Sequence, residues 1–220
     1  MANLWYISPS DQSRNIGIGN YGSEESQMIR LADAIAPHLD RCGVQFHIAP
    51  PNVPIDDRPD LSNEMNADYY LALHSNAGGN GNAWGPIAFY HTSGKVLAER
   101  LAKELLATGQ KSNRASNVTR NTTLFELRCP VAPAVLLEVD FHDSETGVAF
   151  LTQRRQDAAT AIAKAIVAID GKQWVEETVD DKQTAVALGL FPIGTKWSEP
   201  LTKEEAAKAL LRLKSILERG

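Results

Sequence analysis

The chain has 220 residues, of which 43% are hydrophobic and 22% are charged, and its formal net charge at pH 7 is −5. These values are ordinary for a folded protein, and the length suits one catalytic-sized domain with a small additional unit. The negative charge, without a clustered basic face, argues against nucleic acid and anionic lipid as partners. We therefore expect a globular protein that binds neither nucleic acid nor a membrane.

The sequence carries few signs of targeting or cross-linking. Cys42 and Cys129 are isolated and lack C-x-x-C spacing, so we expect two reduced thiols rather than a disulfide or a metal pair. No run reaches the roughly 18 apolar residues of a membrane span. The N-terminus does not combine a charged region with a long apolar stretch, as secretory signals do. We expect the protein to be soluble and to be made in the cytoplasm.

Strand and helix patterns alternate from the start of the chain. A short, aromatic-rich apolar run at residues 4–7 predicts a buried strand that ends at Pro9. Ser23 is suited to cap a helix that ends at Gly43, and a strand pattern follows at 44–48. The apolar positions of this helix recur at helical spacing: Met28, Leu31, Ala32, Ile35 and Leu39.

The same alternation continues through the middle of the chain. A short helix is predicted at 61–67, and a continuous apolar strand at 69–73 leads directly into His74. A further strand at 87–90 precedes a helix whose apolar positions span 97–105.

The strongest strand signal in the chain, at residues 134–141, follows a long polar connection at 109–122. A last helical stripe spans 158–169. Strands alternating with helices indicate an α/β domain of three layers, with a mostly parallel central sheet flanked by helices. We place this domain at residues 1–171 and predict a small helical appendix at 172–220.

The predicted appendix contains two helical patterns on either side of a turn at residues 191–195. Thr202 and Glu205 have the Thr-x-x-Glu spacing of a capping box. In this motif the side chain of each residue accepts a hydrogen bond from the backbone amide of the other at the start of a helix. We therefore expect the final helix to begin directly after Thr202.

Polar residues gather at or just after the ends of the predicted strands, where open α/β sheets bind their ligands. These positions are residues 11–15, Glu24, His74 and Glu138. Glu138 lies inside the most apolar strand, and burying an unpaired charge is costly, so it needs a partner such as a cation or a metal ion with its water. A raised pKa would then suit Glu138 to proton transfer.

Glutamate and histidine are suitable ligands for zinc, and a catalytic zinc site needs about three protein ligands and a water. Spacing alone leaves other interpretations open. His74 could be a hydrogen-bonded core residue, and Glu24 could be a solvated carboxylate that interacts with the helix dipole.

Two longer segments carry a specific resemblance. Residues 71–76 resemble a strand that ends in S-I-H-x-N, and residues 133–141 resemble P-A-V-L-x-E-x-(G/A)-F. Both motifs are typical of the zinc-dependent N-acetylmuramoyl-L-alanine amidases of autolysins and phage endolysins, which cleave peptidoglycan, and the resemblance covers roughly residues 4–170. It implies that His74 and Glu24 are zinc ligands and that Glu138 is the catalytic acid and base.

The first metal ligand departs from the usual pattern of that family. Most members carry D-P-G-H after the first strand, whereas this chain reads Ser-Pro-Ser-Asp-Gln at residues 8–12. A branch with S-P-S-x-Q-x-x-N-x-G-x-G-x-Y-G-T-E is similar to this segment through Glu24. In that branch the position of Asp11 varies, so we favour Gln12 as the first ligand and keep Asp11 as the alternative. An amide oxygen is a weaker zinc ligand than an imidazole.

The resemblance also implies a substrate and the residues around it. Asn15, Asn76 and His142 are expected to bind peptidoglycan, although His142 could instead cap the next short helix. The alternative functions are a non-catalytic peptidoglycan-binding module and a zinc peptidase acting on stem peptides. In each case the protein would reach the cell wall by release or by another export route.

The appendix resembles a known module as well. Residues 185–213 are similar to a short repeat found in surface-layer homology modules and phage-lysin tails. One copy is less than such modules usually need to bind the wall. Packing on the catalytic domain and pairing with another chain, which would make a homo-oligomer, are therefore the alternatives.

Overall fold

The computed structural model describes residues 3–78, 80–176, 190 and 202–217. The chain divides into two compact units, Met1–Val175 and Glu176–Gly220. This division lies a few residues beyond the boundary predicted between residues 171 and 172. Both cysteines are free thiols, as expected.

The described part of the first unit contains six strands and six helices. The strands are β1 (Leu4–Pro9), β2 (Gln45–Ile48), β3 (Tyr69–Asn76), β4 (Ile87–Tyr90), β5 (Val118–Arg120) and β6 (Ala134–Phe141). The helices are α1 (Glu24–Arg41), α2 (Arg58–Glu64), α3 (Lys95–Ala107), α4 (Phe125–Arg128), α5 (Glu145–Gln153) and α6 (Arg155–Ile169).

The strands form one sheet in the order β2-β1-β3-β6-β4-β5. Strands β2, β1, β3 and β6 run parallel to one another, whereas β4 is antiparallel to β6 and β5 is parallel to β4. The predicted α/β class, with a mostly parallel central sheet flanked by helices, is confirmed.

Side chains alternate between the two faces of the sheet because successive residues of a strand point to opposite sides. The first face, which packs against α1, α3 and α6, carries the larger core, including Trp5, Ile7, Leu71, Leu73, Val135 and Leu137. The second face carries a smaller core that includes Tyr6, Tyr70, Ala72, Ala134 and Leu136, and Leu127 of α4 packs on it. Continuing both alternations places His74 and Glu138 on this second face.

Helix α1 begins where the sequence predicted. Ser23 is its N-cap, and the Ser23 hydroxyl accepts a hydrogen bond from the amide of Ser26. The apolar stripe of the helix is buried against the first face, and each buried leucine or isoleucine contributes about 1.5–3 kcal/mol. This packing fixes Glu24, the first residue of α1, near the carboxyl end of the sheet.

Three short elements were not predicted. The predicted polar connection contains β5, an edge strand of three residues whose side chains are mostly exposed, so it has no apolar alternation to detect. Helix α4 has only four residues, and α5 precedes the predicted stripe, which corresponds to α6. Helix α2 begins and ends three residues before the predicted range.

The described part of the second unit contains helix α7 (Lys203–Leu217). The predicted capping box is confirmed: the Thr202 hydroxyl accepts from the amide of Glu205, and Glu205 Oε2 accepts from the amide of Thr202. The predicted turn at 191–195 and the helical pattern before it lie outside the described residues. In the part of the chain that is described, no helix has both the length and the apolar character to cross a membrane.

Candidate functional site

The polar site lies at the carboxyl ends of β3 and β6, on the second face of the sheet. His74 and Glu138 are direct register partners in the parallel pairing of these strands. Only 5% of the surface of His74 is exposed. The two parallel strands therefore bring both predicted side chains to the same edge of the sheet.

The side chains of Gln12 and Glu24 converge on His74. His74 Nδ1 lies 2.9 Å from Glu24 Oε1. The side-chain amide nitrogen of Gln12 lies 3.3 Å from His74 Nδ1 and 3.4 Å from Glu24 Oε1. Glu24 reaches this point from the start of α1, and Gln12 reaches it from the loop after β1.

The spacing of these three atoms fits a metal site. Tetrahedral zinc with bonds of about 2.0–2.1 Å separates neighbouring donor atoms by roughly 3.4 Å. A half-turn of the Gln12 amide exchanges its nitrogen and oxygen, which places the oxygen in the triangle. Among the described residues, no three His, Cys, Asp or Glu side chains are grouped to hold a metal ion. The amide of Gln12 is therefore what completes a set of three donors.

The two candidates for the first ligand point in different directions. Asp11 Oδ2 accepts a hydrogen bond from the amide of Ile55 at 3.0 Å, which ties it to the loop before α2. Gln12 is the side chain that touches both His74 and Glu24. The structure thus brings Gln12, rather than Asp11, to the predicted ligands.

Glu24 is 1% exposed and is held by several donors. Asn15 donates its side-chain amide to Glu24 Oε2 at 2.6 Å. Burial by itself would raise the pKa of Glu24, but the hydrogen bond and charge of His74, with hydrogen bonds from Ser10 and Asn15, hold the pKa below its usual value. Glu24 is therefore an ionised carboxylate, as a metal ligand must be.

His74 also contacts a second carboxylate that was not predicted from the sequence. Its Nε2 lies 2.8 Å from Oε2 of Glu126, a residue of α4. Burial by itself would lower the pKa of His74, but hydrogen bonds to Glu126 and Glu24 outweigh burial and raise the pKa to about 10. Without a metal ion, His74 is thus an imidazolium held between two carboxylates.

The sequence does contain a feature that points to Glu126 as a buried, functional carboxylate. An acidic residue lies between Phe125 and Leu127 in an apolar setting, and the cost of burying a charge, which singled out Glu138, applies there too. Only 4% of Glu126 is exposed.

Glu138 differs from Glu24 and Glu126 because its Oε2 is buried and has no hydrogen-bond partner among the described residues. Burial raises the pKa of Glu138 to about 7, the charge of His74 opposes this rise, and the charges of Glu24 and Glu126 add to it. A carboxyl with such a pKa can exchange a proton near neutral pH.

The residues predicted to bind substrate have different surroundings. Asn76 is partly exposed at the end of β3, and its Oδ1 accepts from the amide of Ala77. His142 is only 1% exposed; its Nδ1 lies 2.8 Å from Ser75 Oγ, and its ring stacks on Tyr21. His142 does not cap the next helix.

That cap belongs to Ser144, whose hydroxyl accepts from the amide of Gly147 at the start of α5. His142 is therefore an interior residue next to the site, and its contact with substrate stays a prediction.

Asp140 stands where the resembled motif has glycine or alanine, and it organises a loop beside the site. Its carboxylate is fully buried and accepts from the amide of Gly85 and from the side-chain amide of Gln110. Burial raises the pKa of Asp140, and these hydrogen bonds oppose the rise. Asp140 thus holds the backbone at Gly85 in place.

Comparison with known proteins assigns the family. A family model described as N-acetylmuramoyl-L-alanine amidase matches residues 9–168. The chain belongs to this amidase family. The matched range includes Glu24, His74 and Glu138. No curated protein sequence matches the chain.

Solved structures of two amidases and of one endolysin domain share the fold. AmiC2 of Nostoc punctiforme is 23% identical with a TM-score of 0.67, and the match covers 76% of this chain and 96% of AmiC2. The catalytic domain of CwlV from Bacillus (Paenibacillus) polymyxa is 18% identical with a TM-score of 0.67, covering 78% and 99%. The catalytic domain of the CD27L endolysin, targeting Clostridia difficile, is 18% identical with a TM-score of 0.61, covering 76% and 98%.

Family membership identifies the reaction and the substrate. Amidases of this family are peptidoglycan hydrolases that cleave the amide bond between N-acetylmuramic acid and L-alanine. The predicted fold, activity and cell-wall substrate are therefore confirmed.

Proposed function

We propose that this amidase uses one zinc ion, held by Gln12, Glu24 and His74. The observation that carries the proposal is the triangle of donor positions, whose sides of 2.9, 3.3 and 3.4 Å suit three ligands of one tetrahedral ion. Gln12 would present its amide oxygen, Glu24 its Oε1 and His74 its Nδ1. A single neutral amide among the ligands implies weaker binding than a set with two imidazoles.

Glu138 moves the proton in the proposed reaction. When bound, zinc supplies Lewis acidity, which activates water and polarises the carbonyl of the scissile amide. Glu138 accepts the proton of the attacking water and returns it to the nitrogen of the departing L-alanine. Its raised pKa, near 7, and its Oε2 without a partner among the described residues support this role.

The neighbouring polar residues position the ligands and the substrate. Asn15 fixes the second oxygen of Glu24 and lies on the loop of residues 11–15, which lines an open pocket. Asn76 is partly exposed, so its amide can contact a bound muropeptide. His142 is buried, and its contribution passes through Ser75, the residue that follows His74.

Product analysis tests the proposal. Purified peptidoglycan should release free L-alanine amino termini without new reducing ends, and a chelator should stop the release until zinc is restored. Binding without release would instead indicate a non-catalytic peptidoglycan-binding module. Free amino groups on other residues would indicate a peptidase of stem peptides. His74→Ala is the matched control, because it removes a proposed ligand and should abolish zinc-dependent release.

A further inference from the structure

Glu126 occupies the side of His74 opposite to Glu24. Its Oε2 lies 2.8 Å from His74 Nε2, while His74 Nδ1 lies 2.9 Å from Glu24 Oε1. Both ring nitrogens are therefore held, and the imidazole cannot turn without losing two contacts. The two carboxylates belong to different helices, so the orientation of the ring depends on how α1 and α4 pack on the sheet.

The other oxygen of Glu126 is anchored in the interior. Glu126 Oε1 accepts hydrogen bonds from Ser8 Oγ and from the Tyr70 hydroxyl, each at 2.6 Å. Ser8 lies on β1 and Tyr70 on β3, both on the second face. This anchoring of Oε1 leaves Oε2 directed at His74 Nε2.

A buried cation accompanies this carboxylate. Arg58 is 1% exposed, and its guanidinium donates to Ser8 Oγ at 3.2 Å and to the carbonyl of Pro9. Ser8 thus links Arg58 to Glu126. A buried carboxylate is tolerated when opposite charge and hydrogen bonds compensate it, and this network supplies both.

We propose that Glu126 is a positioning residue for the metal site, which orients His74 and makes its Nδ1 a stronger donor. This inference rests on the zinc site proposed above. A histidine that ligates a metal ion usually donates its other ring N–H to a carboxylate, which fixes the tautomer and raises the basicity of the ligand. With Nε2–H directed at Glu126, the proton-free nitrogen is Nδ1, the atom that faces Glu24 and Gln12. By strengthening the bond from His74 to zinc, Glu126 compensates for the weaker zinc binding of the Gln12 amide.

The substitution Glu126→Gln tests this role because it keeps the size of the side chain and removes its charge. Zinc affinity is measured on the purified full chain by competition with a chelating dye. We expect Glu126→Gln to bind zinc about 10–100-fold more weakly than the wild type. Cobalt(II) substituted for zinc should give a different visible spectrum in the variant, since the imidazole is no longer fixed.

Leu127→Ala is the matched control for packing. Leu127 lies on the same short helix and is 2% exposed in the core of the second face. The control should lower the melting temperature and leave zinc affinity close to that of the wild type. A loss of zinc affinity in Leu127→Ala as large as that in Glu126→Gln would refute the positioning role, because packing alone would then explain both.

The remaining outcomes separate the two proposals. If the wild type binds no zinc, the proposed zinc site is wrong. If the wild type binds zinc and Glu126→Gln binds it equally tightly, the zinc site stands and the role of Glu126 is refuted. Should Glu126→Gln fail to fold, Glu126→Asp takes its place, because the shorter side chain withdraws the carboxylate from Nε2. Unchanged zinc affinity in Glu126→Asp would equally refute the role.

Discussion

Replacing Glu138 by glutamine separates its proposed chemical role from any role in folding. Glu138 Oε2 has no hydrogen-bond partner among the described residues, so the substitution breaks no hydrogen bond at that atom. It does remove the charge that accepts the proton. A general base contributes at least about 100-fold to the rate. We therefore expect Glu138→Gln to lower turnover by about 100-fold or more, which corresponds to about 2.7 kcal/mol of activation free energy.

The same substitution should stabilise the metal-free protein at alkaline pH. Burial raises the pKa of Glu138 from 4.5 to about 7, so the folded protein binds this proton more tightly than the unfolded chain does. The free energy of unfolding therefore falls as pH rises from about 4.5 to about 7. A shift of this size corresponds to at most about 3–4 kcal/mol. Glutamine avoids that cost, and the gain in melting temperature at pH 8 is at most roughly 6–16 °C.

The assays are dye release from wall material with zinc present, zinc content, and thermal unfolding in chelator at pH 8 and at pH 4.5. Zinc content should stay close to that of the wild type, and the stability difference should disappear at the lower pH. Glu99→Gln is the control, because Glu99 is an exposed residue of α3 whose ion pair with Lys95 contributes little. Near-normal turnover, or a lower melting temperature at pH 8, would refute the reasoning for Glu138.

Three further predictions concern the first ligand and the second unit. Gln12→His should tighten zinc binding, because imidazole is the better donor, and Asp11→Ala should leave it unchanged; loss of zinc in Asp11→Ala would make Asp11 the ligand. Thr202→Ala removes a side-chain cap and should destabilise the start of α7 by about 0.5–2 kcal/mol; unchanged amide hydrogen exchange there would argue against the capping box. If the predicted self-association through the appendix occurs, Leu211→Lys should shift the protein towards the monomer in light scattering, because Leu211 is 68% exposed. A wild-type protein that is monomeric at every concentration would contradict that prediction.

The fold was predictable wherever burial leaves a long periodic trace. Strands β3 and β6 are nearly continuous apolar runs because both of their faces are covered, and α1 carries both a cap and an apolar stripe. Strand β5 has three residues at an edge of the sheet, and α4 has a single turn, so neither is long enough for an apolar pattern to repeat.

Some residues of the site could likewise be predicted from the sequence, and others could not. Glu24 begins α1, and His74 and Glu138 lie in the carboxyl-terminal halves of β3 and β6. The rule that parallel strands present their carboxyl ends at one edge was enough to expect these side chains together. Glu126 reaches His74 only because α4 folds back over the second face, which no spacing in the sequence encodes. The contrast between Asp11 and Gln12 depended on the path of a single loop, and this path directs Asp11 to Ile55.

The zinc content of the purified protein tests the proposed metal site most directly. Protein prepared without chelator should contain about one zinc ion per chain, as a single site with three protein ligands predicts. His74→Ala, prepared in the same way, should contain none and should release no L-alanine amino termini from peptidoglycan. A wild-type protein that contains no metal and still releases these termini in the presence of chelator would contradict the proposal.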